Sequence, residues 1–101
     1  MSKITEFARG QECQIRIPGM CCRDNATTVW CHGNGSAAGK GIGMKSHDAL
    51  GAIGCYVCHG VVDGSIPRTN GLTRDDVRLA FWEGHARSLR MLIEANLVLE
   101  K

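Results

Sequence analysis

The feature that most constrains this chain is the run Cys55-Tyr-Val-Cys58-His59, in which a Cys-x-x-Cys pair is followed directly by a histidine. Two thiols at this spacing are typical of a metal knuckle that leads into a helix. The chain has 101 residues and six cysteines. A single domain of this size has a modest hydrophobic core, so a bound metal is a natural source of additional stability.

The sequence also indicates the compartment in which these cysteines operate. A secreted disulfide framework would give the same cysteine count, but the N-terminal run MSKITEFARG lacks the apolar core of a signal peptide. No apolar run approaches the roughly twenty residues of a membrane span. We therefore expect a cytoplasmic protein that does not span a membrane, in which clustered cysteines bind metal rather than pair with each other.

The second half of a metal site is predicted around Cys13 and Cys21. Polar and apolar residues alternate over 14–17, which is the period of a short strand. A Pro-Gly pair at 18–19 then predicts a turn that brings the two cysteines together. Cys22 is the alternative to Cys21, and the sequence alone does not choose firmly between them.

Thiolates from Cys13, Cys21, Cys55 and Cys58 would complete a tetrahedral zinc shell. Such a shell leaves no open coordination position, which is the mark of a structural site. The alternative is dithiol redox chemistry, which requires an exposed thiol of low pKa at a helix N-terminus, a position that Cys55 could occupy. The other cysteines and the adjacent histidine favour structural zinc.

The other elements are predicted from periodicity and from turn residues. We expect a terminal helix over 3–9, a strand over 27–31, a second strand or extended segment over 41–45, and a helix over 58–63. The glycine-rich segment after the first strand predicts a loop. These elements surround the knuckle.

The longest predicted helix opens at Thr73 and runs to about Asn96, with Asp76 placed as in a capping box. Its apolar residues form two stripes, so the helix is either largely buried or presents one stripe to a partner. The first stripe comprises Val77, Ala80, Phe81, Gly84, Met91, Leu92 and Ala95, and the second Leu79, Trp82, Ala86, Leu89 and Ile93. A homodimer through this helix is therefore one expectation.

His32, Asp48 and His59 form a second group of chemically active residues around the knuckle. A phosphodiester hydrolase needs a base that activates water and a divalent cation that holds the scissile phosphate. Histidine suits the base because it exchanges protons near neutral pH, and a second polar group must orient its ring. A strand end, a loop and a helix start can bring three such groups together, which makes these residues catalytic candidates.

The segments ARGQECQIRIPGMC and MKSHDALGAIGCYVCHGVVD, with His32 between them, resemble the YbcO-like nuclease family of phages and prophages. That family is similar to the HNH, or ββα-metal, endonucleases, and the resemblance covers roughly residues 8–63. It implies a β-hairpin and a helix around a catalytic metal, with a zinc site beneath. It also implies that His32 is the general base, that Asp48 takes the position of the middle asparagine, and that His59 binds the catalytic ion.

One position departs from the HNH pattern. Many HNH enzymes carry an acidic metal ligand directly before the base, where this chain has Cys31. A thiolate is a soft ligand and would favour zinc or another transition metal over magnesium. His47, beside Asp48, could substitute, and Mg²⁺, Mn²⁺, Ni²⁺ and Zn²⁺ are all candidates for the catalytic ion.

These observations predict a small α+β domain over residues 1–101, with a zinc knuckle and ββα-metal core over 13–63 and a C-terminal helix or helix pair over 73–96. The predicted function is metal-dependent endonucleolytic hydrolysis of DNA, of phage or prophage origin, in recombination or DNA processing. Phosphate contacts are expected from Lys40, Lys45, Arg68 and Arg74. The alternatives are a zinc-stabilised nucleic-acid-binding module that does not cleave, and a cytosolic dithiol redox protein.

Overall fold

Three helices and a two-stranded antiparallel sheet form the described part of the protein. The computed structural model describes residues 3–33, 50–69 and 71–97. In chain order the elements are helix α1 (Lys3–Ala8), a 3-10 turn (Asn25–Thr27), strands β1 (Val29–His32) and β2 (Gly51–Gly54), and helices α2 (Tyr56–Asp63) and α3 (Arg74–Glu94). The predicted α+β class is confirmed at this level.

The sheet divides the interior into two small cores. Trp30 of β1 pairs with Ile53 of β2, and Cys31 pairs with Ala52. Because side chains alternate along a strand, these two pairs face opposite sides of the sheet. The first pair packs with residues of α1 and α3, and the second joins a larger core that contains the other buried cysteines.

Two local predictions hold close to their expected bounds. Helix α1 ends before Gly10, whose φ of 81° suits a glycine just past a helix end. Strand β1 starts at Val29 rather than at 27, because residues 25–27 form the 3-10 turn. The Asp24 side chain caps that turn by accepting a backbone hydrogen bond.

The segment 14–17 is not a strand, although its alternating pattern predicted one. Arg16 has a φ of 54°, which takes the chain out of the extended region. The backbone N–H groups of Gln14 and Ile15 both donate to the carbonyl oxygen of Ile53, at 2.7 and 3.3 Å. The segment therefore turns against the edge of β2, and both of its isoleucines are buried there.

Strand β2 lies in the buried run that precedes the knuckle. The sequence predicted the second strand over 41–45, a range that lies outside the described residues. Gly51 is required by close packing, because a Cβ atom there would collide with the carbonyl oxygen of Cys31 and lie 2.7 Å from the indole nitrogen of Trp30. The run Gly51–Gly54 therefore forms a strand because it pairs closely with β1.

Helix α2 begins directly at the Cys-x-x-Cys motif. Cys55 is its N-cap, because the sulfur accepts a hydrogen bond from the backbone N–H of Cys58 at 3.4 Å. The helix starts at Tyr56, slightly before the predicted start, and ends at Gly64, whose φ of 90° is left-handed. The knuckle thus fixes the start of the helix that carries His59.

Helix α3 begins with the predicted capping box. The Thr73 hydroxyl accepts from the Asp76 N–H at 3.1 Å, and the Asp76 carboxylate accepts from the Thr73 N–H at 2.9 Å. A cap of this kind typically adds about 1 kcal/mol to stability. The helix continues to Glu94, so the described C-terminal region is one helix rather than a pair. No helix in the described ranges is both long enough and apolar enough to cross a membrane.

The two apolar stripes of α3 differ in burial. The buried positions of the helix are Val77, Ala80, Phe81, Gly84, Ser88 and Leu92. This set contains most of the first predicted stripe. The second stripe is partly exposed, and the side chain of Leu79 is 62% exposed. Between the stripes, Arg87 donates to the carbonyl oxygen of Gln14 at 3.1 Å.

Gly84 allows α3 to approach the backbone of the 14–17 segment. A Cβ atom at this position would lie 2.7 Å from the Cα of Ile15 and 2.9 Å from the carbonyl oxygen of Gln14. One turn later, the Ser88 hydroxyl accepts a hydrogen bond from the backbone N–H of Ile53 at 2.9 Å. A glycine that would weaken an isolated helix therefore allows α3 to pack closely against the 14–17 segment and β2.

Gly84→Ala is expected to destabilise the domain even though alanine improves helix propensity by about 1 kcal/mol. The neighbours of the new methyl group are backbone atoms, and overpacking of this kind typically costs about 1–3 kcal/mol. Urea unfolding measures the difference in the free energy of unfolding. Glu83→Ala, at the adjacent exposed position, is the control and should change it by no more than about 0.5 kcal/mol. A Gly84→Ala protein as stable as wild type would contradict the close packing.

Candidate metal centre and active site

The four predicted ligands Cys13, Cys21, Cys55 and Cys58 come together in one cluster. Their Sγ atoms all lie within 4.8 Å of one another. The Sγ atoms of Cys21 and Cys55 are 3.8 Å apart, and sulfurs about 2.3 Å from a tetrahedral zinc ion would be separated by about 3.8 Å. The cluster could therefore hold a metal such as zinc.

Two turns position the four sulfurs: the turn over 17–21 serves Cys13 and Cys21, and the first turn of α2 serves Cys55 and Cys58. Cys13 precedes the 14–17 segment, which is held against β2. The backbone N–H groups of Met20 and Cys21 then both donate to the carbonyl oxygen of Ile17, at 3.1 and 3.0 Å. This is the turn that the Pro-Gly pair predicted, and it returns the chain to the cluster. On the other side, the first turn of α2 presents its two cysteines.

Backbone N–H groups face the sulfurs of the cluster. The Cys58 N–H donates to the Cys55 sulfur at 3.4 Å, the Arg16 N–H contributes to the lowered pKa of Cys13, and the N–H groups of Arg23 and Ile17 partly offset the raised pKa of Cys21 and of Cys58. Arg16 and Arg23 have φ values of 54° and 56°, in the left-handed region that non-glycine residues rarely adopt. N–H donors offset the negative charge that several thiolates bring into one place, so these local conformations suit a metal-thiolate centre.

Protons in the cluster are distributed unequally. A hydrogen bond from the Cys58 thiol lowers the pKa of Cys13 to about 4, and the same bond raises the pKa of Cys58. Burial raises the pKa of Cys21 to about 11. Because a metal ion binds thiolates, its uptake would release the protons held by Cys58 and Cys21.

The dithiol redox alternative loses support from this geometry. Cys55 and Cys58 are both fully buried, whereas a redox motif requires an exposed thiol of low pKa. Cys13, the cluster thiol with the strongly lowered pKa, is also buried. All six cysteines are unpaired thiols.

Cys21, rather than Cys22, belongs to the cluster. Cys21 is half-buried and its sulfur is one of the four that lie together. Cys22 is exposed, and its sulfur lies 3.8 Å from the Thr27 hydroxyl. The turn at residue 21 points the first of the two adjacent thiols inward, which the sequence left undecided.

Cys21→Ser is therefore expected to remove a metal ligand, whereas Cys22→Ser leaves the cluster complete. Loss of an outer-shell partner already weakens a metal site by about 10–100-fold, so loss of this thiolate should weaken zinc binding by more than about 100-fold. Competition with a chromophoric chelator measures the affinity, and native mass spectrometry measures the stoichiometry. Equal zinc affinity in the two variants would refute the assignment of Cys21 as a ligand.

A cavity of about 320 Å³ opens beside the cluster. It is lined by Glu12, Cys13, Arg16, Cys21, Arg23 and Asn25. Cys21, which is half-buried, and Cys13 both line this cavity, which therefore offers a path by which a metal ion can enter or leave the cluster.

The predicted catalytic residues lie on separate elements. His32 is exposed at the end of β1, opposite Gly51. The His59 side chain on α2 is 44% exposed, and its Nε2 lies 3.9 Å from an Asp63 oxygen. β1 and α2 contact each other. Asp48 lies outside the described residues, as do His47, Lys40 and Lys45. The catalytic roles of these residues stay predictions.

Cys31 cannot act as the soft ligand that its position suggested. It is fully buried and faces the cysteine-rich core. Burial raises its pKa, and the negative charges of Cys13 and Asp63 add to that effect. Cys31 is therefore a neutral core thiol, and an ion bound at the surface beside His32 must find its ligands elsewhere.

His85 of α3 is a residue near His32 that the sequence gave no reason to select. Its Nδ1 lies 2.7 Å from the carbonyl oxygen of Gly51, the β2 residue opposite His32. Because a carbonyl only accepts, Nδ1 must carry the hydrogen, which leaves Nε2 as the acceptor in the neutral ring. The contact joins α3 to β2 across a long stretch of chain, so no local pattern could have revealed it.

The fold and the site define a small α+β domain in which a four-cysteine cluster, able to hold a metal such as zinc, anchors a two-stranded sheet and the helix after it. Comparison with known proteins identifies the family. The chain belongs to the YbcO family, since the family described as "Putative nuclease YbcO" matches residues 2–96. The resemblance to the YbcO family that the sequence motifs indicated is thereby confirmed.

Relatives of this family occur in a bacterium and in a phage. "Putative nuclease YbcO" of Escherichia coli (strain K12) and "Putative nuclease ybcO" of Enterobacteria phage 82 are each 34% identical over 98 residues, covering 97% of this chain and 98% of the relative. The chain is also similar to a solved structure described as "Structure of a putative bacteriophage protein from Escherichia coli str. K-12 substr. MG1655". The TM-score is 0.72 at 29% identity, covering 91% of this chain and 98% of that chain.

Proposed function

We propose that this protein is a metal-dependent endonuclease that hydrolyses DNA phosphodiester bonds, with its four-cysteine cluster as a structural zinc site. The observation that carries the proposal is the β1–β2–α2 unit, which has His32 at the end of β1 and His59 next to a ligand of the cluster. This order of elements is the one that the HNH resemblance implies, and relatives named as nucleases support the proposed activity.

His32 is the proposed general base. It is exposed at the end of a strand, where a substrate phosphate can reach it. Histidine is the side chain best suited to take a proton from an attacking water near neutral pH. Its backbone is held by the ladder to Gly51, whose carbonyl is in turn held by His85. Asp48 is proposed to orient the His32 ring, since ring orientation needs a second polar partner.

His59 is the proposed ligand of the catalytic ion. Its backbone position is rigid because the preceding residue, Cys58, belongs to the zinc cluster, and because its own N–H donates to the Cys55 carbonyl at 2.9 Å. Its imidazole remains 44% exposed and so can bind a second ion. A divalent cation there would stabilise the charge on the phosphate oxygens during hydrolysis. A structural metal held by Cys58 would thus fix the position of the neighbouring His59 imidazole, which would bind the catalytic ion.

DNA is the proposed partner. Arg68 and Arg74 are exposed cations on either side of the turn before α3, and both suit phosphate contacts. The net charge of +2 is compatible with nucleic acid. The partly exposed second stripe of α3, with Leu79, is the surface that a homodimer would use.

A non-cleaving nucleic-acid-binding module is the alternative function. The observation that favours it is the buried thiol of Cys31, which stands where many HNH enzymes carry an acidic ligand. This alternative predicts salt-dependent DNA affinity without metal-dependent turnover.

Nicking of supercoiled and branched DNA tests the proposal. Zinc-loaded protein is incubated with Mg²⁺, Mn²⁺, Ni²⁺ or additional Zn²⁺, and with a chelator too weak to remove zinc from the cluster. Nicking with at least one ion, and its loss in the chelator, is the expected result. Salt-dependent DNA binding with no nicking under any ion would support the non-cleaving module and overturn the endonuclease.

A further inference from the structure

The buried thiol of Cys31 leaves the proposed ion site without a hard ligand on β1. An imidazole alone holds a divalent cation weakly, and Mg²⁺ and Mn²⁺ favour carboxylate oxygens. Cys31, the β1 residue that faces this core, offers only a neutral sulfur. Any carboxylate for the ion must therefore come from another element.

We propose that Asp63 supplies this carboxylate and forms a divalent cation site with His59. The two residues are one helical turn apart on α2, so their side chains share one face. Asp63 Oδ2 lies 3.9 Å from His59 Nε2, and the two side chains are 42% and 44% exposed. Neighbouring ligands about 2.1 Å from an octahedral ion are about 3 Å apart, so small side-chain rotations bring the pair to binding distance.

The Asp63 carboxylate is held in place before any ion binds. The backbone N–H of Ser65 donates to Asp63 Oδ1 at 2.8 Å, which leaves Oδ2 on the side of His59. The left-handed Gly64 ends the helix at this point, and the Ile66 N–H donates to the Gly60 carbonyl at 3.0 Å. A ligand fixed by an outer hydrogen bond in this way binds metal more tightly than a mobile one.

The electrostatics around β1 agree with this placement. Helix α2, which carries Asp63, contacts β1, the strand that ends at His32, and the negative charge of Asp63 is one of the causes that raise the pKa of Cys31 after burial. A carboxylate at position 31 would repel Asp63, whereas a neutral thiol does not. In this proposal α2, which contacts β1, supplies the acidic ligand that the HNH pattern places on β1.

An ordinary ion pair is the competing interpretation of His59 and Asp63. Exposed pairs four residues apart on a helix contribute little to stability and imply no ligand. This chain contains a matched example, because Arg90 and Glu94 of α3 are also four apart, with an N–O distance of 3.7 Å. The two pairs differ in the basic group. His59 offers an imidazole, which can bind a metal ion, whereas Arg90 offers a guanidinium, which cannot.

Mn²⁺ binding to the zinc-loaded protein tests the inference. Electron paramagnetic resonance measures bound Mn²⁺, with the protein alone and with a short phosphorothioate duplex that resists cleavage. We expect one Mn²⁺ per chain, with affinity reduced at least 10-fold in Asp63→Asn and in His59→Gln. Glu94→Gln, which breaks the matched ion pair, should bind Mn²⁺ as wild type does. Zinc content and melting temperature should be unchanged in Asp63→Asn.

The inference rests on the proposed function for the role of the ion, but the two can fail separately. If Asp63→Asn binds Mn²⁺ as tightly as wild type, the inference is overturned even if the wild-type protein nicks DNA. If wild type binds no Mn²⁺ with or without DNA, the inference is likewise overturned. If Mn²⁺ binds through Asp63 but wild type nicks no DNA with any ion, the site stands and the endonuclease proposal fails.

Discussion

Replacing His32 with alanine is expected to slow DNA cleavage about 100- to 10,000-fold, which is the range that a general base contributes. The side chain is exposed at the end of β1, so its removal should change the free energy of unfolding by no more than about 0.5 kcal/mol. Zinc content should stay the same for the same reason. Single-turnover nicking with saturating protein measures the rate of the chemical step.

DNA affinity separates catalysis from binding in this experiment. A general base that acts on water contributes little to holding the phosphate backbone, so His32→Ala should bind duplex DNA with near wild-type affinity at the same salt concentration. Glu83→Ala is the control, because it changes an exposed residue of α3 that has no proposed role in catalysis, and it should cleave DNA as wild type does. A His32→Ala protein that cleaves within tenfold of wild type would refute the assigned base.

Cys58→Ser, or Cys55→Ser, is expected to unfold the domain rather than to weaken one site. Both sulfurs are fully buried in the cluster, and Cys55 also caps α2. Zinc binding in small domains provides about 10–16 kcal/mol that is coupled to folding, which equals or exceeds the total stability of about 5–15 kcal/mol of a typical domain. Circular dichroism should show no cooperative melting transition, and elemental analysis should show substoichiometric zinc.

Cys31→Ala is the matched control for this loss. Cys31 has the same residue type and the same complete burial, but its sulfur is not among the four that lie together. The variant should retain one zinc per chain and melt cooperatively, with only the modest loss of stability that a small cavity causes. A Cys58→Ser protein with an unchanged melting temperature and full zinc content would contradict the structural role of the cluster.

Some features of this fold depend on short-range chemistry and could be predicted. The capping box of Thr73 and Asp76 involves residues three apart, so its geometry follows from the backbone of one helical turn. The Cys55–Cys58 pair likewise lies within one turn, and both thiols point into the cluster as expected.

Other predictions failed because distant residues decided the local conformation. The alternation over 14–17 suggested a strand, but the Ile53 carbonyl accepts from two consecutive N–H groups and Arg16 adopts a left-handed φ. Gly84 has a low helix propensity, yet it is where α3 contacts the Ile15 backbone. In each case the partner lies far away along the chain, so periodicity carried no information about it.

The sequence by itself determined the family, the ligand types and the Cys-x-x-Cys-His start of α2, because residue identity and short spacing specify them. The tertiary structure decided between Cys21 and Cys22, buried Cys31 as a neutral thiol, and set the Asp63 carboxylate beside His59. These outcomes depend on the direction in which each side chain leaves the backbone and on what packs against it. Long-range packing sets both, and only a folded chain reveals them.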